Sequence, residues 1–135
     1  MQNNENLVHL YVLAVLYFST SGKSWKVSLN WLSKYSECEW WHDSNVSPTN
    51  NGITCIEQGK VEIINLNFYS LQGKIPSEIV LLGSDLNELL LNENSLTGTL
   101  PTEIGDLSGL ARLEVHMNDL EKTIPSEYGS IANLS

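Results

Sequence analysis

Apolar residues recur along the second half of the chain in a fixed frame. Val61, Ile64 and Leu66 are followed by Leu71, Ile75 and Ile79; Leu86, Leu89 and Leu91 by Leu96, Leu100 and Ile104; Leu110, Leu113 and Val115 by Leu120, Ile124 and Tyr128. The three segments start at 61, 86 and 110, at intervals of 25 and 24 residues, a spacing that marks stacked supersecondary units. Apolar positions 1, 4 and 6 of each unit turn inward, and alternation about position 6 predicts a short strand. Asn94 and Asn118, at position 9, carry an amide that can bond the backbone where the chain leaves the strand. Pro76, Pro101 and Pro125 keep the next stretch out of a regular sheet interior. One unit cannot close a core alone, so the units must stack, which predicts a solenoid. Its repeats are 61–85, 86–109 and 110–133, and Leu134 takes position 1 of a fourth.

Residues 1–60 precede the repeats and follow a different pattern. Leu7, Leu10, Tyr11, Ala14 and Phe18 fall at helical spacing and are expected to face the core, with Asn4 or Asn6 as N-cap and Gly22 as a left-handed stop. Trp25, Trp31, Trp40 and Trp41 suit a compact aromatic plug. Ile53–Ile56 and Lys60–Ile63 read as a hairpin about Gln58-Gly59.

Composition narrows the function. The chain has 135 residues, 7 Lys+Arg against 16 Asp+Glu, a net charge of −9 and 41% hydrophobic residues. One domain with a buried core is the natural reading. The acid excess excludes nucleic-acid binding by phosphate neutralisation and disfavours anionic lipid. The longest apolar run, Leu7 to Phe18, is interrupted by His9 and is short of the roughly 20 residues of a membrane span. The first residues lack the basic charge of a secretory signal. The residues alone therefore leave two readings open, a cytosolic protein or an extracellular segment whose signal or anchor lies outside this chain.

The stretches Gly73-Lys74-Ile75-Pro76 and Gly98-Thr99-Leu100-Pro101, set within the Leu frame of 61–135, resemble the plant-type leucine-rich repeat of receptor-like proteins and receptor kinases. Leu10-Tyr11 through Phe18, Asn30-Trp31-Leu32, Cys38-Glu39-Trp40 and Gly52-Ile53-Thr54-Cys55 resemble the N-terminal cap of the same family, with Trp41 to Asn51 inserted as a polar loop. The resemblance implies an α/β solenoid, a right-handed leucine-rich-repeat superhelix with a helical, disulfide-bonded cap and a short parallel sheet on the concave face. It implies pairing of Cys38 with Cys55 in an oxidising compartment. Two free thiols, or a metal set including His42, are the rival readings, the latter without paired C-x-x-C spacing. Tyr69 stands where position 9 should be Asn, leaving the first turn without its amide, and Lys122 replaces a Gly, implying a looser third turn.

Candidate chemistry is sparse. The carboxylates project from an open sheet that supplies no water-excluding cleft, and His9, His42 and His116 have no nucleophile beside them, so no enzyme and no cofactor are expected. Asn45-Val46-Ser47 and Asn133-Leu134-Ser135 fit the N-glycosylation sequon, Asn45 in the expected loop. What remains is a surface. Strand positions directed away from the core give Glu62, Ile63, Asn65, Asn67 and Phe68; Asn87, Glu88, Leu90, Asn92 and Glu93; and Ala111, Arg112, Glu114, His116 and Met117. Phe68, Leu90 and Met117, apolar among acids and amides, resemble an interface core with a polar rim. The reading is a binding module for a protein, peptide or glycan, part of the extracellular region of a receptor-like signalling or defence protein. A wall-associated spacer or a secreted inhibitor of wall-degrading enzymes is the alternative. Leu113, Val115, Leu120, Ile124 and Ile131 are expected on an uncovered stacking face, which would make the chain a fragment of a longer solenoid that self-associates or frays.

Overall fold

A computed structural model describes residues 4–25, 38, 52–57, 59–121 and 124–135. Among these residues one α-helix, α1 (Asn4–Ser19), precedes eight short strands: β1 (Gly52–Cys55), β2 (Val61–Asn65), β3 (Gln72–Gly73), β4 (Glu88–Leu90), β5 (Ser95–Gly98), β6 (Arg112–Glu114), β7 (Asp119–Leu120) and β8 (Asn133–Leu134). One sheet runs β1-β2-β4-β6-β8, with β1 antiparallel to β2 and the rest parallel. A second parallel sheet, β3-β5-β7, forms where the chain turns away from the first, an element the repeat pattern did not announce. Pro76, Pro101 and Pro125 each lead into a 3₁₀ segment on the opposite side, at Ser77–Asp85, Thr102–Asp106 and Ser126–Ser130.

The inward frame is as expected. Val61, Ile64, Leu66, Leu86, Leu89, Leu91 and Leu113 are fully buried, and Leu71, Leu96, Ile79 and Ile104 join them in one continuous core. Tyr128 takes the place that Ile79 and Ile104 hold in the earlier repeats, and its hydroxyl donates to the Pro101 carbonyl at 2.5 Å. Burial, and then the carboxylates of Glu103 and Glu127, push that phenol well above its ordinary pKa.

The cap helix presents a different face from the expected one. His9, Val12, Leu13, Leu16 and Thr20 are buried, whereas Leu7, Tyr11 and Phe18 are 52%, 55% and 67% exposed. The run is apolar nearly all round, so periodicity alone selects no face; polar contacts do. The Val61 N–H donates to His9 Nδ1 at 3.5 Å, and the Thr20 hydroxyl donates to the Leu16 carbonyl at 2.6 Å. The helix end is closed by the first repeat, because the N–H groups of Gln72 and Lys74 donate to the carbonyls of Thr20 and Ser19. That approach needs Gly73, where a Cβ would lie 2.3 Å from the Ser19 oxygen. The left-handed residue after the helix is Ser21, φ 58, and Gly22 instead gives room to the Tyr17 ring.

Cap and repeats are joined by aromatic and covalent contacts. Trp25 packs edge-on against Tyr17 and Tyr69, with centroids 5.2 and 5.9 Å away, and its indole N–H donates to the Thr20 carbonyl at 3.0 Å. Cys38 and Cys55 form a disulfide across 17 residues, a closure that stabilises by roughly 3 kcal/mol in the chain-entropy account. The hairpin of β1 and β2 is present, with Gly59 at φ 78 in its turn. The expectations for Trp31, Trp40, Trp41, His42, Asn45, Gln58 and Lys122 lie outside the described residues.

The end of the third repeat departs from the expected frame. Leu134 pairs beside Leu113 and Asn133 beside Arg112, so Leu134 takes strand position 4 rather than position 1. In the second repeat the chain makes a further turn, with Leu107 N–H bonded to Ile104 and Leu110 N–H to Leu107. In the third, Ile131 N–H bonds to Tyr128 and the chain passes directly into β8, where Ser135 exchanges bonds with Leu113 and Val115. Leu113 and Ile131 are therefore buried rather than uncovered, while Ile124 stays 54% exposed.

Candidate functional site

The face of the first sheet is built by columns of equivalent residues on neighbouring strands. The register aligns Ile63 with Glu88 and Arg112, and Asn65 with Leu90 and Glu114. Glu62, Ile63, Asn65, Asn67, Asn87, Glu88, Ala111 and Glu114 are partly buried, and Phe68, Glu93, Arg112, His116 and Met117 are exposed. Two expected surface residues are not on the surface. Leu90 is 8% and Asn92 5% exposed. Leu90 sits on a central strand between Asn65 and Glu114, at the distance where cross-strand neighbours cover one another. Asn92 is drawn in by its own bonds: its side-chain nitrogen donates to Glu114 Oε2 at 2.5 Å, and its oxygen accepts the His116 N–H at 3.0 Å.

Amides form two ladders across the repeats. At position 7, Asn67 Oδ1 accepts the Asn92 N–H at 2.7 Å, and Asn92 repeats the contact one strand on. At position 9, Asn94 Oδ1 accepts the N–H groups of Tyr69 and Leu71, and its nitrogen donates to the carbonyls of Leu66, Leu91 and Asn92. The first turn, whose own position 9 is Tyr69, is thus served by the amide of the following repeat, contrary to the expectation that it would lack one. Asn118 bonds in the same way to Leu96, Leu91, Val115 and His116. Tyr69 itself is 3% exposed, and burial pushes its phenol up to about 12.

Between the two ladders, position 8 points outward. Phe68, Glu93 and Met117 have φ of 61°, 56° and 56°, a left-handed backbone that non-glycine residues adopt at a cost of about 1–2 kcal/mol. Phe68 and Met117 are 59% and 69% exposed. An open depression of about 530 Å³, lined by Asn87, Glu88, Ala111, Arg112, Glu114, Asn133 and Leu134, lies on β4, β6 and β8 and includes none of the row. Arg112 closes on Glu114 Oε1 at 2.6 Å. Among the described residues no cluster of three His, Cys, Asp or Glu is arranged to hold a metal, and no helix is long and apolar enough to cross a membrane.

No protein-family model matches the chain. The LRR receptor-like serine/threonine-protein kinase RGI3 of Arabidopsis thaliana is 36% identical over 91 residues, 67% of this chain and 8% of that protein. The plant peptide hormone receptor RGFR1, solved in complex with RGF2, is 42% identical over 58% of this chain and 12% of its own, with a TM-score of 0.50. The Arabidopsis receptor kinase HAESA, solved with the peptide hormone IDA and the co-receptor SERK1, shares the fold at TM-score 0.74 and 23% identity, over 98% of this chain and 20% of its own. By sequence and fold the chain is a plant-type leucine-rich-repeat protein. It spans about a tenth of the length of the curated relatives it matches.

Proposed function

We propose that the chain is a ligand-binding part of a receptor-like protein's extracellular region, folded as a right-handed superhelix, and that it recognises a protein or peptide on its concave face. The observation that carries this reading is the outward row of Phe68, Glu93 and Met117. Large apolar side chains held in water by a strained backbone are costly for a spacer and useful for an interface. The likeness to a receptor solved with a peptide hormone supports a peptide as the class of ligand. The disulfide supports an oxidising location outside the cytosol. The contact set is Phe68, Glu93, His116 and Met117, with Glu62, Asn87, Glu88 and Arg112 around them; Ile63, Asn65 and Asn67 lie between as walls. Asn45 is the sequon that accepts a glycan, since one on Asn133 would fill the depression.

A photo-crosslinker at Met117, compared with one at Phe18 on the cap, tests the reading in plant extracellular fluid. Adducts from Met117 and none from Phe18 are expected. Adducts from Phe18 alone would move recognition to the cap, and none from either position would leave the spacer reading in force.

A further inference from the structure

We propose that the partner of the concave face is an extended cationic peptide segment, with a lysine or arginine set between two apolar side chains. The proposal rests on the concave-face reading above. Four carboxylates, those of Glu62, Glu88, Glu93 and Glu114, share this face with one guanidinium, Arg112. That guanidinium is already taken by Glu114, whose other oxygen holds Asn92. Glu62, Glu88 and Glu93 form no ion pair among the described residues. Three unpaired carboxylates against one engaged guanidinium, among the described residues, attract a positive ligand and reject an acidic one, which would leave like charges opposed.

The apolar half of the argument is independent of charge. Phe68 and Met117 flank Glu93 in one row, because Phe68 N–H donates to the Asn92 carbonyl and Glu93 N–H to the His116 carbonyl on successive strands. At about 4.8 Å per strand, Phe68 and Met117 stand about 10 Å apart with the Glu93 carboxylate between them. A polyproline-II segment rises about 3.1 Å per residue with three residues per turn, so two apolar residues three apart lie on one side and span about the same distance. A long side chain from one of the two residues between them can then swing to Glu93. Arginine suits this place best, since its guanidinium can fork onto the carboxylate while its plane lies on the Phe68 ring.

Selection of a randomised peptide library on the intact, oxidised chain tests the idea at physiological and at high ionic strength. Binders should be enriched in Lys or Arg between apolar residues three apart and should weaken with salt. Glu93→Gln, a near-isosteric change at an exposed position, should weaken them about tenfold at unchanged melting temperature. Glu93→Lys should shift the selection toward acidic peptides, and Glu62→Gln with Glu88→Gln should add to the loss. Neutral or acidic binders that fail on Phe68→Ser with Met117→Ser but ignore Glu93→Gln would overturn the cationic partner while leaving the concave face as the site. Binders indifferent to every one of these variants, or an empty selection, would overturn both.

Discussion

In the second repeat, Asn92 and Asn94 bind their amides into the structure while Glu93 between them stands in water; in the first, Asn67 and the buried Tyr69 flank an exposed Phe68. Side-chain polarity therefore predicts the wrong side at several of these positions. Amides go inward because the chain leaving each strand carries backbone groups that the parallel pairing does not satisfy, and an Asn meets donor and acceptor at once. Phe68 and Met117 stay outward because a left-handed turn residue is directed away from the core whatever its chemistry. The two sets of residues, one letter apart, answer to different constraints, the ladders to folding and the row to whatever binds.

The contrast is sharpest in the response to truncation. Asn94→Ala removes five hydrogen bonds across two repeats and strands buried backbone groups; a loss of about 3 kcal/mol or more is expected, read as a drop in denaturation midpoint. Asn92→Ala should cost about 2 kcal/mol, since it frees Glu114 and the His116 N–H together. If either variant were neutral, the ladder would be ornament and the distinction would collapse.

Alkaline titration separates Tyr69 from its neighbour. Its folded pKa is raised to about 12 by burial, so the native state holds the phenol proton over a range where the unfolded chain, near pKa 10, has lost it. The stability tied to the neutral phenol is complete below pH 10 and falls as pH rises from about 10 toward 12. Unfolding midpoints should follow that slope, and Tyr69→Phe should reduce it, leaving the part that Tyr128 carries. Met117→Gly should raise stability by up to about 1 kcal/mol by relieving the positive φ, offset in part by glycine's greater freedom when unfolded. Smallest of all, Phe68→Ser with Met117→Ser should shift stability by no more than about 0.5 kcal/mol, measured by the same melts that register Asn94→Ala.

The repeat architecture was legible because its signal is periodic: Val61, Ile64 and Leu66 recur as Leu86, Leu89 and Leu91, and all six are buried. The cap helix was legible as a helix, but its face was not. Leu7, Tyr11 and Phe18 compete with Val12, Leu13 and Leu16 on equal hydrophobic terms, and the buried His9 and Thr20 disguised the inner stripe. At the candidate site, Phe68, Glu93 and Met117 were visible from their shared position, whereas Leu90 and Asn92 were not seen as buried, because their cover comes from neighbouring strands.

The sequence by itself determined which residues of the first two repeat frames stack inward and which cysteines are available to pair, since these depend on local spacing and on chemistry that travels with the residue. Tertiary structure alone decided which face of α1 meets the first repeat, that Asn94 would mend a turn 25 residues before its own, and that Leu134 would enter the sheet beside Leu113. Those outcomes rest on hydrogen bonds and cover between segments far apart in the chain, and a linear pattern holds no record of which distant backbone group is left wanting.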